Sequence, residues 1–336
     1  MELHQTSLFE GLSPRFKIDR PIRLIELFAG IGSQAKALRN LGVPFEHWKV
    51  VEIDKYAMKS YNAVHGTNFE PSDITKIHAA DLEIRERERY LYITTYSFPC
   101  QDLSLAGHQK GMSKGSGTRS GLLWEVERIL DECDELPQVL LMENVPQVIG
   151  KKNIKDFQAW RSKLESLGYT NYVQLLNAKD YGIPQNRNRC FMVSLLGDYY
   201  YEFPKGKPLK LKLKDMLEDS VEEKYYLSDK AIESFVKYNE KQKQRGNGFR
   251  FDPLERERER VRTITAKEGQ RLGDNYIIEP DTLTKVRESI SPTSSTRQTE
   301  SQEPYKVNLK QSLPSKSLNA PNKEISQTIR GGEEVL

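Results

Sequence analysis

The chain has 336 residues, 37% of them hydrophobic and 29% charged, with a formal net charge of +3. That length suits one substantial core domain plus a second, smaller module. No apolar run approaches the roughly 20 residues of a membrane-spanning helix, which sets membrane function aside. The charge surplus falls after residue 200, where 26 basic residues face 23 acidic ones. So small an excess does not by itself argue for nucleic-acid binding, which needs a local basic surface.

In chain order, residues 1–20, MELHQTSLFEGLSPRFKIDR, lack both the apolar centre of a secretory signal and the acid-free character of a transit peptide. They read as an N-terminal extension of a cytoplasmic chain. Three cysteines, Cys100, Cys133 and Cys190, lack the close pairing of a zinc site or a disulfide framework, so a reducing compartment and no metal are expected. From Ile22 to about residue 200, short apolar runs alternate with segments of helical period. Strands are expected at Ile22–Phe28, Trp48–Ile53, Tyr90–Tyr96, Val139–Met142 and Phe191–Leu196, and helices at Gln34–Leu41, Tyr56–Val64, Leu122–Cys133 and Phe157–Leu167. That alternation is the pattern of a doubly wound α/β domain with a parallel sheet covered on both faces.

After about Pro204 no regular period is read, and Asp281–Glu324, rich in Ser, Thr, Gln, Lys and Pro, is expected to be a mobile loop. The chain is therefore divided at 1–20, 21–203 and 204–336. Two Arg-Glu alternations, Arg85–Arg89 and Glu255–Arg260, each read as a solvated helix or loop. Their regularity also fits an AG dinucleotide repeat in the gene, which mixed codon usage would exclude.

Ile25–Ser33, IELFAGIGS, is a strand entering a glycine-rich turn before a helix, a place where backbone amides face a polar ligand and glycines permit close approach. Glu52 follows about 20 residues on, where an acid can hold ribose hydroxyls. The pattern does not separate NAD from S-adenosylmethionine, and a glycine turn can be structural alone. Tyr96–Gly107, YSFPCQDLSLAG, puts Cys100 in a polar loop after an apolar strand. Most cysteines are buried and inert, but ligands of an open parallel sheet sit beyond the carboxyl ends of its strands. Val139–Val145 delivers Glu143 and Asn144 to the same edge, although a lone acid there could simply cap the next helix. In GIPQNRNR, Arg187 and Arg189 alternate, so an extended segment would point both one way, toward phosphate or a planar polar group, or else form a basic surface loop.

Taken in order, FAGIG, Glu52, Asp73-Ile74, Pro99-Cys100-Gln101, Gly121-Leu122-Leu123-Trp124-Glu125, Glu143-Asn144-Val145 and Gln185-Asn186-Arg187-Asn188-Arg189 resemble the motif series of the cytosine-5 DNA methyltransferase family. The likeness covers about Ile22 to Leu196. It implies a Rossmann-like, S-adenosylmethionine-dependent methyltransferase domain followed by a smaller, irregular target-recognition module. The cofactor would lie against Phe28, Ala29, Gly30, Gly32, Glu52, Ile53, Asp73, Ile74, Pro99 and Leu122. Cys100 would be the nucleophile that adds to carbon 6 of cytosine, with Glu143 on the ring nitrogen and amino group, and Arg187 and Arg189 holding the flipped nucleotide. Double-stranded DNA is the implied substrate, and a cognate restriction endonuclease an implied partner.

The resemblance also leads one to expect an Arg-Glu-containing segment and a Gly-Asn-containing motif after the recognition region. Neither is found: Arg262–Gln270 and Ile325–Gly332 both read as recognition-region sequence. A split enzyme completed by a second polypeptide, or a truncated chain, is expected ahead of full independent activity. Two other readings stay open, the same chemistry on tRNA and a non-catalytic DNA-binding remnant.

Overall fold

The computed structural model describes residues 13–103, 110–218, 221, 222, 225–246, 251, 253–264, 274–278, 307 and 308. By its internal packing the chain forms two units, one of residues Met1–Asn177 with Asn188–Lys205, the other of Ala178–Arg187 with Gly206–Leu336. Among the described residues no helix is long and apolar enough to cross a membrane.

The first unit is built in chain order from β1 (Ile22–Leu27), α1 (Ser33–Asn40), β2 (Phe45–Val51), α2 (Lys55–His65), the short α3 (Ala79–Leu82), β3 (Leu91–Tyr96), α4 (Leu123–Glu132), β4 (Val139–Asn144), α5 (Ile154–Ser166) and β5 (Tyr169–Asn177). After β6 (Gln185–Asn186), which pairs in the second unit, comes β7 (Asn188–Leu196). The sheet order is β2-β1-β3-β4-β7-β5. Every expected strand and helix of this region is present, with ends shifted by a few residues.

The sheet is not wholly parallel. β1 pairs parallel with β2 and β3, and β3 with β4, but β7 runs antiparallel to both β4 and β5. The reason lies in the connection: no helix long enough for a crossover separates β5 from β7, and a short return makes an antiparallel neighbour. β5 itself is an element the apolar pattern does not announce, because its sequence YTNYVQLLN mixes polar and apolar residues at an edge position.

Both faces of the central strands are covered, as the near-continuous burial of β1 shows. One core joins Tyr92, Tyr96, Met142 and Met192 of the sheet to Val126 and Leu130 of α4 and Phe157, Trp160 and Leu164 of α5. A second joins Ala29 and Val50 to Met58 and Tyr61 of α2. Each Val, Leu, Phe or Met among them withdrawn from water contributes about 1.5–3 kcal/mol. Near the start of β1, Arg23 lies between the rings of Trp48 and Tyr90, 3.6 and 3.5 Å from their centroids, and pairs with Glu46 at 3.1 Å. The described part of the N-terminal extension docks on the turn after β7, where the Tyr200 amide donates to the Pro14 carbonyl and Phe16 meets Tyr199 edge to face.

The second unit corrects the reading that no regular period follows Pro204. It holds α6 (Asp229–Gln244), capped by the Ser228 hydroxyl, which accepts from the Ala231 amide. Ile232, Phe235 and Val236 of that helix pack with Phe251 and Tyr276. Short strands β8 (Leu254–Glu255), β9 (Val261–Arg262), β10 (Ile277–Ile278) and β11 (Val307–Asn308) make the rest, β6 pairing with β9 and β10 with β8 and β11. Neither Arg-Glu alternation is helical: Arg85–Arg89 ends in a turn, and Glu255–Arg260 runs from the last residue of β8 through a turn. Most of the expected mobile loop 281–324, and all of 325–332, lie outside the described residues.

Candidate active site

The order of strands locates the crevice. From β1 the chain moves outward to β2, then crosses to β3 on the other side, so the winding reverses between β1 and β3. In such sheets ligands bind outside the carboxyl ends of the strands at that reversal. The glycine turn follows β1 there and the Cys100 loop follows β3. The two are tied together, since Nε2 of the Gln34 side chain donates to Ser97 Oγ at 3.1 Å and the backbone amide of Ser97 to the Leu27 carbonyl at 3.4 Å.

The turn Phe28–Gly32 has three residues in the left-handed region, Phe28 (φ 58°), Gly30 (56°) and Gly32 (78°). A Cβ on Gly32 would stand 2.3 Å from His65 Nε2 and 2.6 Å from Tyr61 Cε2, so that glycine admits the ring packing behind it. Among the described residues a Cβ on Gly30 would meet nothing within 4 Å, so that side of the turn is open to them. Glu52 fixes the turn from β2: its carboxylate accepts from the Gly30 amide at 2.8 Å and from the Asp54 amide at 2.8 Å. Each oxygen keeps a lone pair for a ligand. Ala29 is buried and donates its amide to the Val51 carbonyl, while Ile53 stands 68% exposed beside Glu52. Asp73 caps the following 3₁₀ turn through the Thr75 amide and hydroxyl, and these hydrogen bonds hold its carboxyl below the usual range. Ile74 is buried, and Leu122 is half-buried against the main core.

Behind the turn lies a polar chain that the motif pattern does not reveal. Glu26, fully buried in β1, accepts from the Ala35 amide of α1 at 3.2 Å and from the Tyr61 hydroxyl at 2.5 Å, and Tyr61 meets His47 Nδ1 at 2.7 Å. Burial raises the Glu26 carboxyl, and burial with the Glu26 charge pushes the Tyr61 phenol well up. His47, desolvated and near His65 and Arg39, is lowered to about 4. A lone acid inside the apolar strand IRLIEL is the signal that could have found Glu26.

The Cys100 thiol is half-buried at the end of the β3 loop. Its loop is anchored from two sides: the Asn144 amide of β4 donates to the Phe98 carbonyl at 2.9 Å, and the Ser120 hydroxyl donates to the Pro99 carbonyl at 2.6 Å. Glu143 is the penultimate residue of β4, the strand next to β3, and its Oε1 lies 2.9 Å from Nε of Arg189 near the start of β7. Both side chains are mostly buried, at 21% and 17% exposure. The first unit therefore gathers the glycine turn, Glu52, Cys100, Glu143 and Arg189 on one edge. Arg187 belongs to the second unit, where its carbonyl accepts from the Ala178 amide at 3.0 Å. Among the described residues no group of three or more His, Cys, Asp and Glu is placed to hold a metal ion.

Residues 22–329 match the family model described as C-5 cytosine-specific DNA methylase. Among curated proteins the chain is 35% identical over 260 residues to the type II methyltransferase M2.ScrFI of Lactococcus lactis subsp. cremoris, covering 63% of this chain and 71% of that one. It is 37% identical over 276 residues to the orphan methyltransferase M.SssI of Spiroplasma monobiae, covering 66% and 69%. In fold it resembles the crystal structure of the S. pombe Dnmt2 methyltransferase, with a TM-score of 0.61 and 20% identity over 80% of each chain. With a family match that spans residues 22–329, the chain belongs to the C-5 cytosine-specific DNA methylases.

Proposed function

We propose that this enzyme uses S-adenosylmethionine to methylate carbon 5 of cytosine in double-stranded DNA, through a covalent bond between Cys100 and a base rotated out of the helix. The observation that carries this reading is the Glu143–Arg189 pair at the end of β4, beside the strand that leads to Cys100. A nucleophile there has next to it an acid oriented by a cation.

The residues around the glycine turn fit the methyl donor. The open side of Gly30, the second lone pairs of Glu52 and the exposed aliphatic face of Ile53 offer close backbone approach, an acceptor for ribose hydroxyls and an apolar surface for a purine. Phe28, Ala29, Gly32, Asp73, Ile74, Pro99 and Leu122 complete the proposed pocket. The bound donor supplies a methyl group on a sulfonium, an electrophile that needs no further activation.

Carbon 5 of cytosine is too weak a nucleophile to take a methyl group unaided. Addition of the Cys100 thiolate to carbon 6 forms a carbon–sulfur bond and moves an electron pair toward carbon 5. Glu143 hydrogen-bonds the ring nitrogen and amino group, stabilising the charge that addition creates. Arg189, already on Glu143, holds that carboxylate in place, and Arg187 contacts the flipped nucleotide. After methylation, loss of the carbon-5 proton restores the ring double bond and expels the thiolate. None of this is possible within a stacked duplex, so the target base must leave it.

The second unit is the proposed target-recognition region, a second polypeptide a proposed contributor to activity, and a cognate endonuclease a proposed partner. Bisulfite sequencing of DNA from cells expressing the chain tests the whole reading. Protected cytosines in one sequence context are expected, and none with Cys100→Ala. Methylated tRNA with unmodified DNA overturns it.

A further inference from the structure

The described part of the loop that carries Cys100 is held at several points. The Phe98 carbonyl accepts from Asn144, the Cys100 carbonyl from the Leu103 amide at 3.0 Å, and the Asp102 carbonyl from the Gly111 amide at 3.0 Å. Between them, the Pro99 carbonyl accepts from the Ser120 hydroxyl at 2.6 Å. Ser120 is fully buried where the chain turns into α4, and it also grips Asp102, itself 6% exposed. The Asp102 amide donates to Ser120 Oγ at 3.3 Å, and the Ser120 amide donates to Asp102 Oδ2 at 3.3 Å. Its hydroxyl thus gives its one proton to Pro99 and accepts from Asp102, bracketing residue 100 from both sides.

The Pro99 carbonyl belongs to the peptide plane whose nitrogen is that of Cys100. Fixing this plane sets ψ of Pro99 and, with the carbonyl of Cys100 also bonded, restricts the backbone on both sides of the Cys100 Cα. The direction in which Cβ and Sγ leave the chain follows from that. We propose that Ser120 is a positioning residue for the nucleophile: through Pro99 and Asp102 it aims the Cys100 thiol without touching substrate. This rests on Cys100 being the nucleophile. Loss of the hydroxyl would leave a part-buried carbonyl and a buried amide without this partner, and the backbone around Cys100 would shift to find others. An error of about 1 Å in a reacting atom can cost about a hundredfold in rate.

The test uses the full chain with S-adenosylmethionine and a DNA duplex bearing 5-fluorocytosine at a site the wild-type chain methylates. Fluorine cannot leave as a proton does, so the adduct accumulates and both its rate and its amplitude are read. Ser120→Ala is expected to slow adduct formation about ten- to hundredfold, with amplitude and both half-saturating concentrations within about threefold. Ser120→Cys, which fills the same space with a weaker donor, should fall between. A role confined to folding would lower amplitude and leave the rate per active chain unchanged, and that result, for either variant, overturns the proposal. Failure of the nucleophile reading looks different: no adduct with the wild-type chain, or an adduct that survives Cys100→Ala, which removes the premise and the proposal with it.

Discussion

Two residues at the edge of the sheet are prepared in different ways, Cys100 through its backbone and Glu143 through its side chain. Because Arg189 holds Glu143 at 2.9 Å, replacing the carboxylate with an amide removes both an acceptor of fixed orientation and a charge. Glu143→Gln should lower kcat by about 10²- to 10⁴-fold with little change in affinity for DNA, as single-turnover methyl transfer would show. Gly32→Ala places a methyl against His65 and Tyr61 at a positive φ, so a cost of about 1–3 kcal/mol from strain is expected, read as a lower urea midpoint. Cys100, Glu143 and the glycines are legible in the sequence because each follows an apolar strand within a few residues, and local order carries the signal. Tyr61 and Ser120 are not, since each acquires its role from a partner 18 to 35 residues away, whereas Glu26 shows in the sequence only as a lone acid in an apolar strand. Nothing along the chain marks which polar side chain will meet which carbonyl once the strands align.

Among the elements, the apolar runs and helical periods of the first unit specify strands and helices well, because central parallel strands are buried on both faces. β5 and α6 escape that logic. An edge strand need not be apolar, and the described part of α6 buries Ile232 and the polar Gln242, with Phe235 and Val236 half-buried beneath a mostly charged surface. Ser228 was the available sign of its start, and Ser228→Ala should cost about 1 kcal/mol of helix stability, visible as faster hydrogen exchange over its first turn. The Glu26–Tyr61–His47 chain joins β1, α2 and β2, and it has a pH signature. An unfolded imidazole takes up a proton near pH 6.5, whereas the folded His47 does so only near about 4. Between those values the unfolded state binds the extra proton, so stability falls as pH falls through this window. His47→Gln should make that acid limb shallower in urea titrations run from pH 6.5 to 4. The effect is reduced by solvent, as the ring is half-exposed.

At the scale of the whole molecule, the two units carry separate cores. Phe251, 4% exposed, packs with Tyr276 and Phe235 in the second. Phe251→Ala should cost that core about 3–5 kcal/mol, enough to unfold a small unit. DNA affinity should then collapse, while calorimetry still finds S-adenosylmethionine binding to the first unit within about threefold. A change near residue 204 from a regular to a less regular pattern was visible in composition. That residues 178–187 leave the first unit before β7 enters it was not, because β6 has only two residues and its partner β9 is some 75 positions further on.

The reversal of β7 has a consequence for how the acid is supplied with its cation. A nine-residue strand spans about 30 Å. Had β7 run the same way as β4, its first residues would emerge at the opposite rim, and Arg189 would stand the full height of the sheet from Glu143. Running it backwards makes the beginning of one strand coincide with the end of the other, so a guanidinium reaches the carboxylate by direction of travel alone, with no extra helix to carry it there.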